Sequence, residues 1–91
     1  MARVPLDVLN NTHIVGFAAR AAKTFESGGW TVSKTGNYAG TVSVTTVFYP
    51  AGEHAAADRL VAEFPKIRRE LPAPRGLSAT HLTVVLARDW S

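Results

Sequence analysis

The chain has 91 residues, of which 46% are hydrophobic and 19% charged, with a formal net charge of +3 and a pI of about 9.8. This composition predicts one globular domain over residues 1–91 and excludes a disordered tail. The chain has no cysteine, which excludes disulfides, thiolate metal sites and a cysteine nucleophile. No apolar run approaches the roughly 20 residues that span a bilayer, so we expect any membrane anchor to lie outside these 91 residues.

The first half of the chain predicts a strand, a turn, a helix and a second strand. The strand is predicted over residues 4–9, the turn over 10–12 and the helix over 13–27. The helix follows from apolar residues at helical spacing, which are Ile14, Phe17, Ala18, Ala21 and Phe25. Gly28 and Gly29 predict the end of the helix, and the second strand is expected over residues 30–34.

The second half repeats this order. A strand is predicted over residues 41–49, a turn over 50–52 and a helix from residue 53 to about 64. The apolar stripe of this helix consists of Ala57, Leu60, Val61 and Phe64, and Pro65 marks its expected end. The segment from Lys66 to Arg75 holds most of the excess positive charge and predicts a solvated loop. The last strand is expected over residues 82–87.

These elements predict an α+β fold of βαββαβ order. Alternating apolar residues indicate an antiparallel-rich sheet that is covered by helices on one face. The right-handed crossover rule then favours a ferredoxin-like two-layer sandwich, with both helices on one face of a four-stranded sheet of order 4-1-3-2. The other face is expected to be open and to carry short polar side chains: Asp7, Thr31, Ser33, Ser43, Thr45 and Thr83.

In this topology the ends of the first and third strands, the starts of both helices and the start of the last strand share one rim. The rim would collect seven candidate ligand-binding residues, which are Asn10, Asn11, Thr12, His13, Glu53, His54 and His81. Helix N-termini suit a phosphate or carboxylate, and protonated histidines would strengthen such binding. The competing uses are a zinc site on the histidines and an ordinary polar rim, since Asn10 to Thr12 are also good turn formers. We predict no metal and no cofactor.

The remaining residues do not predict an enzyme. Serine, threonine and histidine are scattered without the spacing of a triad or a phosphate loop. Trp30 and Trp90 could stack on sugars, but as large apolar residues beside short strands they favour a place in the core. An RNA-recognition-like module remains the alternative function, although Asp7 would stand where a base should stack.

Several short motifs follow one another along nearly the whole chain: VLNNT at 8–12, GFA at 16–18, GGWTV at 28–32, TTVFYP at 45–50, Gly52 with Ala55 to Ala57, and VVLARD at 84–89. Together they resemble the LytR C-terminal domain family. The family usually has glycine where Asn11 and Ala87 stand in this chain.

The resemblance implies a non-catalytic, extracytoplasmic accessory domain that supports the integrity or assembly of the cell envelope in high-GC Gram-positive bacteria. The expected partners are a cell-wall polymer, a lipid-linked precursor of the polyprenyl-phosphate type, or an envelope protein. No nucleic acid is expected, the domain should be a monomer, and it would meet the membrane only through an anchor outside these residues. Phosphotransferase chemistry in such proteins belongs to a partner domain.

Overall fold

A computed structural model describes residues 4–90 of the chain. The elements in chain order are β1 (Leu6–Asn10), α1 (Phe17–Ser27), β2 (Val32–Asn37), β3 (Thr46–Tyr49), α2 (His54–Glu63), β4 (Arg69–Pro72), β5 (Leu82–Leu86) and a 3-10 turn (Arg88–Trp90). The predicted α+β class with two helices is confirmed. The predicted four-stranded sheet is wrong, because β4 forms within the segment that was expected to be a basic loop.

The sheet has the strand order β2-β1-β5-β3-β4. Strand β1 is parallel to both β2 and β5, whereas β3 is antiparallel to β5 and parallel to β4. The predicted order 4-1-3-2 is therefore wrong. The order differs because of β4. Helix α2 leads to β4, which lies beside β3, so each half of the chain forms a parallel βαβ unit. Strand β5 then lies between the two units.

Several element boundaries also differ from the prediction, and β2 runs over Val32–Asn37 where residues 30–34 were expected. Helix α1 begins at Phe17 because Gly16 has a φ of 74° and ends the preceding turn in the left-handed region. Ile14 consequently lies outside the helix and is partly exposed, so its predicted place in the core is wrong. Strand β3 begins only at Thr46, and residues 41–45 belong to the connection from β2.

One hydrophobic core lies between the helices and one face of the sheet. Both helices contribute to it, and the sheet contributes the alternate residues Leu6, Val8, Val47, Leu82, Val84 and Leu86. The ring of Phe25 in α1 packs edge-on against Phe64 at 4.9 Å and lies 5.1 Å from the ring of Trp90. Trp30 and Trp90 are both buried in this core, as predicted.

The opposite face of the sheet is not open along its centre. Asp7 is 3% exposed and Thr83 1% exposed, and Thr45 is fully buried. Thr31, Ser33 and Ser43 are exposed, but Thr31 and Ser43 lie outside the strands. The ring of Tyr38, which follows β2, lies 6.3 Å from the ring of Phe48 on this face. The expectation of an open polar platform is therefore wrong for its central strands.

Candidate functional site

The structure divides the predicted rim residues between two ends of the sheet. Strand β1 is parallel to β5 and β3 is antiparallel to it, so the carboxyl ends of β1 and β3 point in opposite directions. Asn10, Asn11, Thr12 and His13 follow β1 at one end of the sheet. Glu53 and His54 follow β3 at the other end, where His81 precedes β5. The predicted common rim is therefore wrong, and it fails for the same reason as the strand order.

A groove of about 820 Å³ lies at the first of these ends. One wall is the connection from β1 to α1, residues 10–16, and the other is the start of the connection from β2 to β3, residues 37–41. The two walls are neighbours because β1 and β2 are adjacent parallel strands, whose carboxyl ends meet at one edge of the sheet. Such edges are frequent ligand sites. Four of the seven predicted site residues line this groove.

Asn10 and Thr12 fold the first wall. The Oδ1 atom of Asn10 accepts hydrogen bonds from the backbone N–H of Thr12 at 2.8 Å and from its hydroxyl at 2.6 Å. The Nδ2 atom of Asn10 donates to the carbonyl of Ile14 at 3.0 Å, and the backbone N–H of Ile14 donates to the Thr12 hydroxyl at 3.1 Å. These polar side chains thus form a tight turn before the helix, as their residue types favour.

Asn11 joins the two walls. Its Nδ2 atom donates to the carbonyls of Tyr38 at 3.2 Å and Gly40 at 2.6 Å, and its Oδ1 atom accepts from the backbone N–H of Val42 at 3.0 Å. All three partners are backbone groups of the connection after β2. The side chain of Asn11 therefore fixes the width of the groove, and its polar atoms are engaged within the protein.

The groove surface is uncharged and mixed in polarity. None of the residues that line it is a lysine, arginine, aspartate or glutamate. Val15 at the lip is 91% exposed and Ile14 is 37% exposed, and Tyr38 also lines the groove. The side chains of His13, Asn37 and Thr41 make no hydrogen bond to any residue in the range 4–90. These three side chains are available to a ligand.

A separate cluster lies on the β3–α2–β4 unit. The Nε2 atom of His54 is 3.5 Å from Oδ1 of Asp58, one turn along α2, and 3.7 Å from Oε1 of Glu70 in β4. The ring of Tyr49 stacks on the His54 imidazole at 4.5 Å with an angle of 9° between the planes. Sequence analysis found His54 but missed both carboxylates, because Asp58 is an ordinary outward helix position and β4 was not recognised.

The pKa of the Glu70 carboxyl is raised from its ordinary value. Burial is the largest cause, and the neighbouring carboxyl group of Asp58 raises the pKa further. The imidazole of His54 acts in the opposite direction. The raised pKa therefore follows from a partly buried carboxyl group that lies beside a second one.

His81 and Glu53 have structural surroundings of their own. The Nδ1 atom of His81 lies 3.0 Å from Oδ1 of Asp7, which pairs a buried carboxylate in β1 with the residue that precedes β5. The neighbouring Thr83 hydroxyl is buried without a hydrogen-bond partner among the described residues. Glu53 is the N-cap of α2, makes no capping hydrogen bond with its side chain, and donates its backbone N–H to Pro50.

The structure is a two-layer α+β domain with both helices on one face of the sheet and a groove at one end of it. Residues 3–90 match the family described as LytR cell envelope-related transcriptional attenuator, and the chain belongs to this LytR C-terminal domain family. A solved structure, the solution structure of the C-terminal domain of RV0431, is 29% identical in sequence with a TM-score of 0.59, and the match covers 94% of this chain and 73% of that one. No functionally curated protein matches the chain.

The family assignment confirms the resemblance seen in the sequence motifs. It indicates an accessory domain associated with the cell envelope, in a family that is not known to be catalytic. Within residues 4–90, neither helix has the length and apolar character needed to cross a membrane.

Proposed function

We propose that this domain binds an uncharged stretch of a cell-wall glycan in the groove between residues 10–16 and 37–41. In this proposal the domain is a non-catalytic accessory module on the extracytoplasmic side of the membrane. The observation that carries the proposal is the groove surface itself, which has unpaired polar side chains and exposed apolar ones but no charged residue.

A sugar ring needs both kinds of contact. Its hydroxyl and acetamido groups require donors and acceptors, and Asn37, His13 and Thr41 offer these without losing bonds inside the protein. Its C–H faces pack on apolar surface, which Val15 and Ile14 supply. The groove volume of about 820 Å³ falls within the range of small-ligand sites, about 300–1,000 Å³. It therefore offers room for a short oligosaccharide segment.

The same surface disfavours a pyrophosphate group. Phosphate binding usually relies on arginine or lysine side chains, and the groove lining has none. The N-terminus of α1 borders the groove at Gly16, and the Arg20 guanidinium donates to the carbonyl of Val15 at 3.3 Å, but Arg20 is not among the residues that line the groove. We therefore assign the glycan part of a wall polymer or precursor to the groove and not its phosphates.

The buried sheet face supports this proposal over the RNA-recognition-like alternative. Such modules stack bases on an open sheet, whereas Asp7 and Thr83 are buried at the centre of this one. We expect single-stranded RNA or DNA to bind weakly and without sequence preference in about 150 mM salt, through surface cations alone. Sub-micromolar, sequence-dependent affinity in an oligonucleotide titration would favour the nucleic-acid function instead.

An NMR titration at pH 6 and pH 8 tests the glycan proposal. The two probes are an uncharged oligosaccharide of N-acetylglucosamine, which has the hydroxyl and acetamido groups of a wall glycan without a carboxylate, and a pyrophosphorylated fragment of a wall precursor. The oligosaccharide should shift the amide resonances of Val15 and of residues 37–41 at both pH values. Shifts that appear only with the pyrophosphorylated fragment, or only at the basic residues 66–75, would contradict the proposal.

A matched pair of variants tests whether the oligosaccharide binds in the groove. Val15→Ser removes an exposed aliphatic side chain at the groove, and we expect oligosaccharide affinity to fall about fivefold through lost apolar contact. Leu71→Ser is the control, because Leu71 is also an exposed aliphatic residue and lies on β4, outside the groove lining. Equal losses in the two variants would argue against the groove.

A further inference from the structure

The β3–α2–β4 unit brings three metal-ligating side chains together at the end of the sheet away from the groove. One ligand atom from each of His54, Asp58 and Glu70 lies within 4.8 Å of the other two. The imidazole Nε2 atom is 3.5 Å and 3.7 Å from the two carboxylate oxygens. Ligands at about 2.0–2.2 Å from a tetrahedral zinc ion are about 3.3–3.6 Å apart. Only small side-chain movements would therefore close the site around an ion.

The cluster is held by regular secondary structure. His54 and Asp58 are four residues apart in α2 and so share one face of the helix. Glu70 is paired with Val47 across β3 and β4 and shares its side of the sheet, which is the side that α2 covers. The stacked ring of Tyr49 holds the imidazole plane of His54. An arrangement of this kind loses little conformational freedom when an ion binds.

The carboxylates of the cluster lack other cationic partners. Among residues 4–90, His54 is the basic side chain that lies within 4.0 Å of Asp58 or Glu70. The Oε1 atom of Glu70 is fully buried and has no hydrogen-bond partner in the described chain. A buried acceptor without a partner is costly, and it points at the same position that the imidazole faces. A bound cation would satisfy it.

We propose that His54, Asp58 and Glu70 bind one divalent transition-metal ion, for which zinc is the probe. An imidazole with two carboxylates suits zinc and its neighbours in the first transition row, whereas calcium and magnesium prefer all-oxygen sites. Side chains of His54 and Asp58 are 62% and 60% exposed, which leaves an entry path and at least one coordination position for water. The ion would fasten the edge strand β4 to α2. The site is independent of the glycan groove.

Isothermal titration calorimetry and thermal melts with ZnCl₂ test this proposal on protein freed of metal with a chelator. Zinc should bind with a stoichiometry of one and raise the Tm by about 5–10 °C when the ion is in large excess over its Kd. Equal concentrations of CaCl₂ or MgCl₂ should leave the Tm nearly unchanged. In NMR spectra, the imidazole protons of His54 should shift and those of His13 should not.

The variants His54→Ala and Asp58→Asn identify the ligands, and both change side chains that are more than half exposed. Each should weaken zinc binding at least tenfold. The control is His13→Ala, which removes another exposed histidine and should leave zinc binding unchanged. Zinc binding that survives both cluster variants, or that His13→Ala abolishes, would overturn the proposal. Oligosaccharide binding should be the same in His54→Ala and the parent, so failure here is distinguishable from failure of the glycan groove.

Discussion

The two parallel βαβ units of this domain differ in the connection that leads from strand to helix. In the β1–α1–β2 unit, residues 11–16 connect the strand to the helix. The side chains of Asn10, Asn11 and Thr12 form hydrogen bonds that hold this connection in its conformation. In the β3–α2–β4 unit, residues 50–53 make a short turn through Gly52, with a φ of 85°, and α2 begins at once. The long connection creates a groove, whereas the short one leaves the first turn of the helix close to the neighbouring strand.

Because the connections differ, the two units present surfaces of different chemistry, one uncharged and one with ionisable side chains. The first unit presents an uncharged groove whose own hydrogen bonds maintain its shape. The second presents ionisable groups on rigid elements, with His54 between two carboxylates. Similar supersecondary units therefore produce different surfaces, and the length of one connection decides which. The following predictions test how far the two units differ and what they share.

The largest effect is expected in the shared core, where the two units should respond alike. Phe17 of α1 and Leu60 of α2 are both buried against the same sheet face. Phe17→Ala and Leu60→Ala should each lower the free energy of unfolding by about 2–5 kcal/mol through lost burial and a residual cavity. Urea denaturation measures this, with the exposed Val15→Ala as the control. A normal stability in either variant would show that its helix is not packed as described.

The next effect concerns the strand that joins the units. His81→Ala removes the partner of the buried Asp7 carboxylate, and an unpaired buried charge is destabilising. Because the His81 side chain is partly exposed, water can replace part of the interaction, and we expect a loss of about 1–3 kcal/mol in unfolding free energy. His13→Ala should have almost no effect in the same urea titration. Equal stability of the two variants would mean that Asp7 does not need its partner.

A smaller effect is expected where the two walls of the groove are joined. Asn11→Ala removes three hydrogen bonds to the connection after β2, and it should cost about 1–2 kcal/mol because water reaches the freed backbone groups. Amide exchange of Val42, whose N–H donates to the Asn11 side chain, should accelerate in this variant. Asn37→Ala is the matched control, since its side chain has no hydrogen bond within residues 4–90. Unchanged exchange in Asn11→Ala would contradict the role of Asn11.

The smallest effect is a pH dependence specific to the second unit. The pKa of Glu70 is higher in the folded protein than its ordinary value, mainly through burial. Between the unfolded and folded pKa values the native state holds the additional proton, so this contribution to stability is present at low pH and is lost as the pH rises. Glu70→Gln cannot lose a proton. Without metal, its stability relative to the parent should therefore increase from pH 4 to pH 8.

Urea titrations at the two pH values, in the presence of a chelator, measure this difference. Glu26→Gln on the exposed side of α1 is the control and should show no such trend. If the difference in unfolding free energy between Glu70→Gln and the parent stays constant across this pH range, the pKa of Glu70 is not raised in the folded protein.

Both helices could be predicted from sequence because their apolar residues recur at helical spacing. The stripe of Ala57 and Leu60 placed α2 within a residue or so of its observed bounds, and Phe17 and Phe25 placed the core face of α1. The start of α1 could not be predicted, since only the backbone shows that Gly16 adopts a left-handed conformation. The interpretation of Ile14 as a core residue failed for that reason.

The missing strand had larger consequences. The sequence RELP at β4 is short, charged and ends in proline, as edge strands often are, and it has no periodicity that would distinguish it from a loop. Because β4 was not recognised, the prediction connected α2 directly to the last strand. The right-handed crossover rule, applied to that connection, then gave the wrong strand order. The place of Asn10 to His13 at a strand end could be predicted, but the groove that they line could not. Its second wall at residues 37–41 depends on β2 lying beside β1, which no local pattern reveals.

Strand β5 also constrains how the domain can fold. It lies at the centre of the sheet although it follows both βαβ units in the chain, and it pairs Leu82 with Leu6 from the opposite end of the described sequence. Contacts between such distant residues carry a large loop-closure cost and are typical of slow-folding topologies. During synthesis, β1 and β3 would each keep an unpaired inner edge until β5 emerges, and unpaired edges promote association with other chains. The last strand to be made is therefore the one that turns two separate units into a single cooperative sheet.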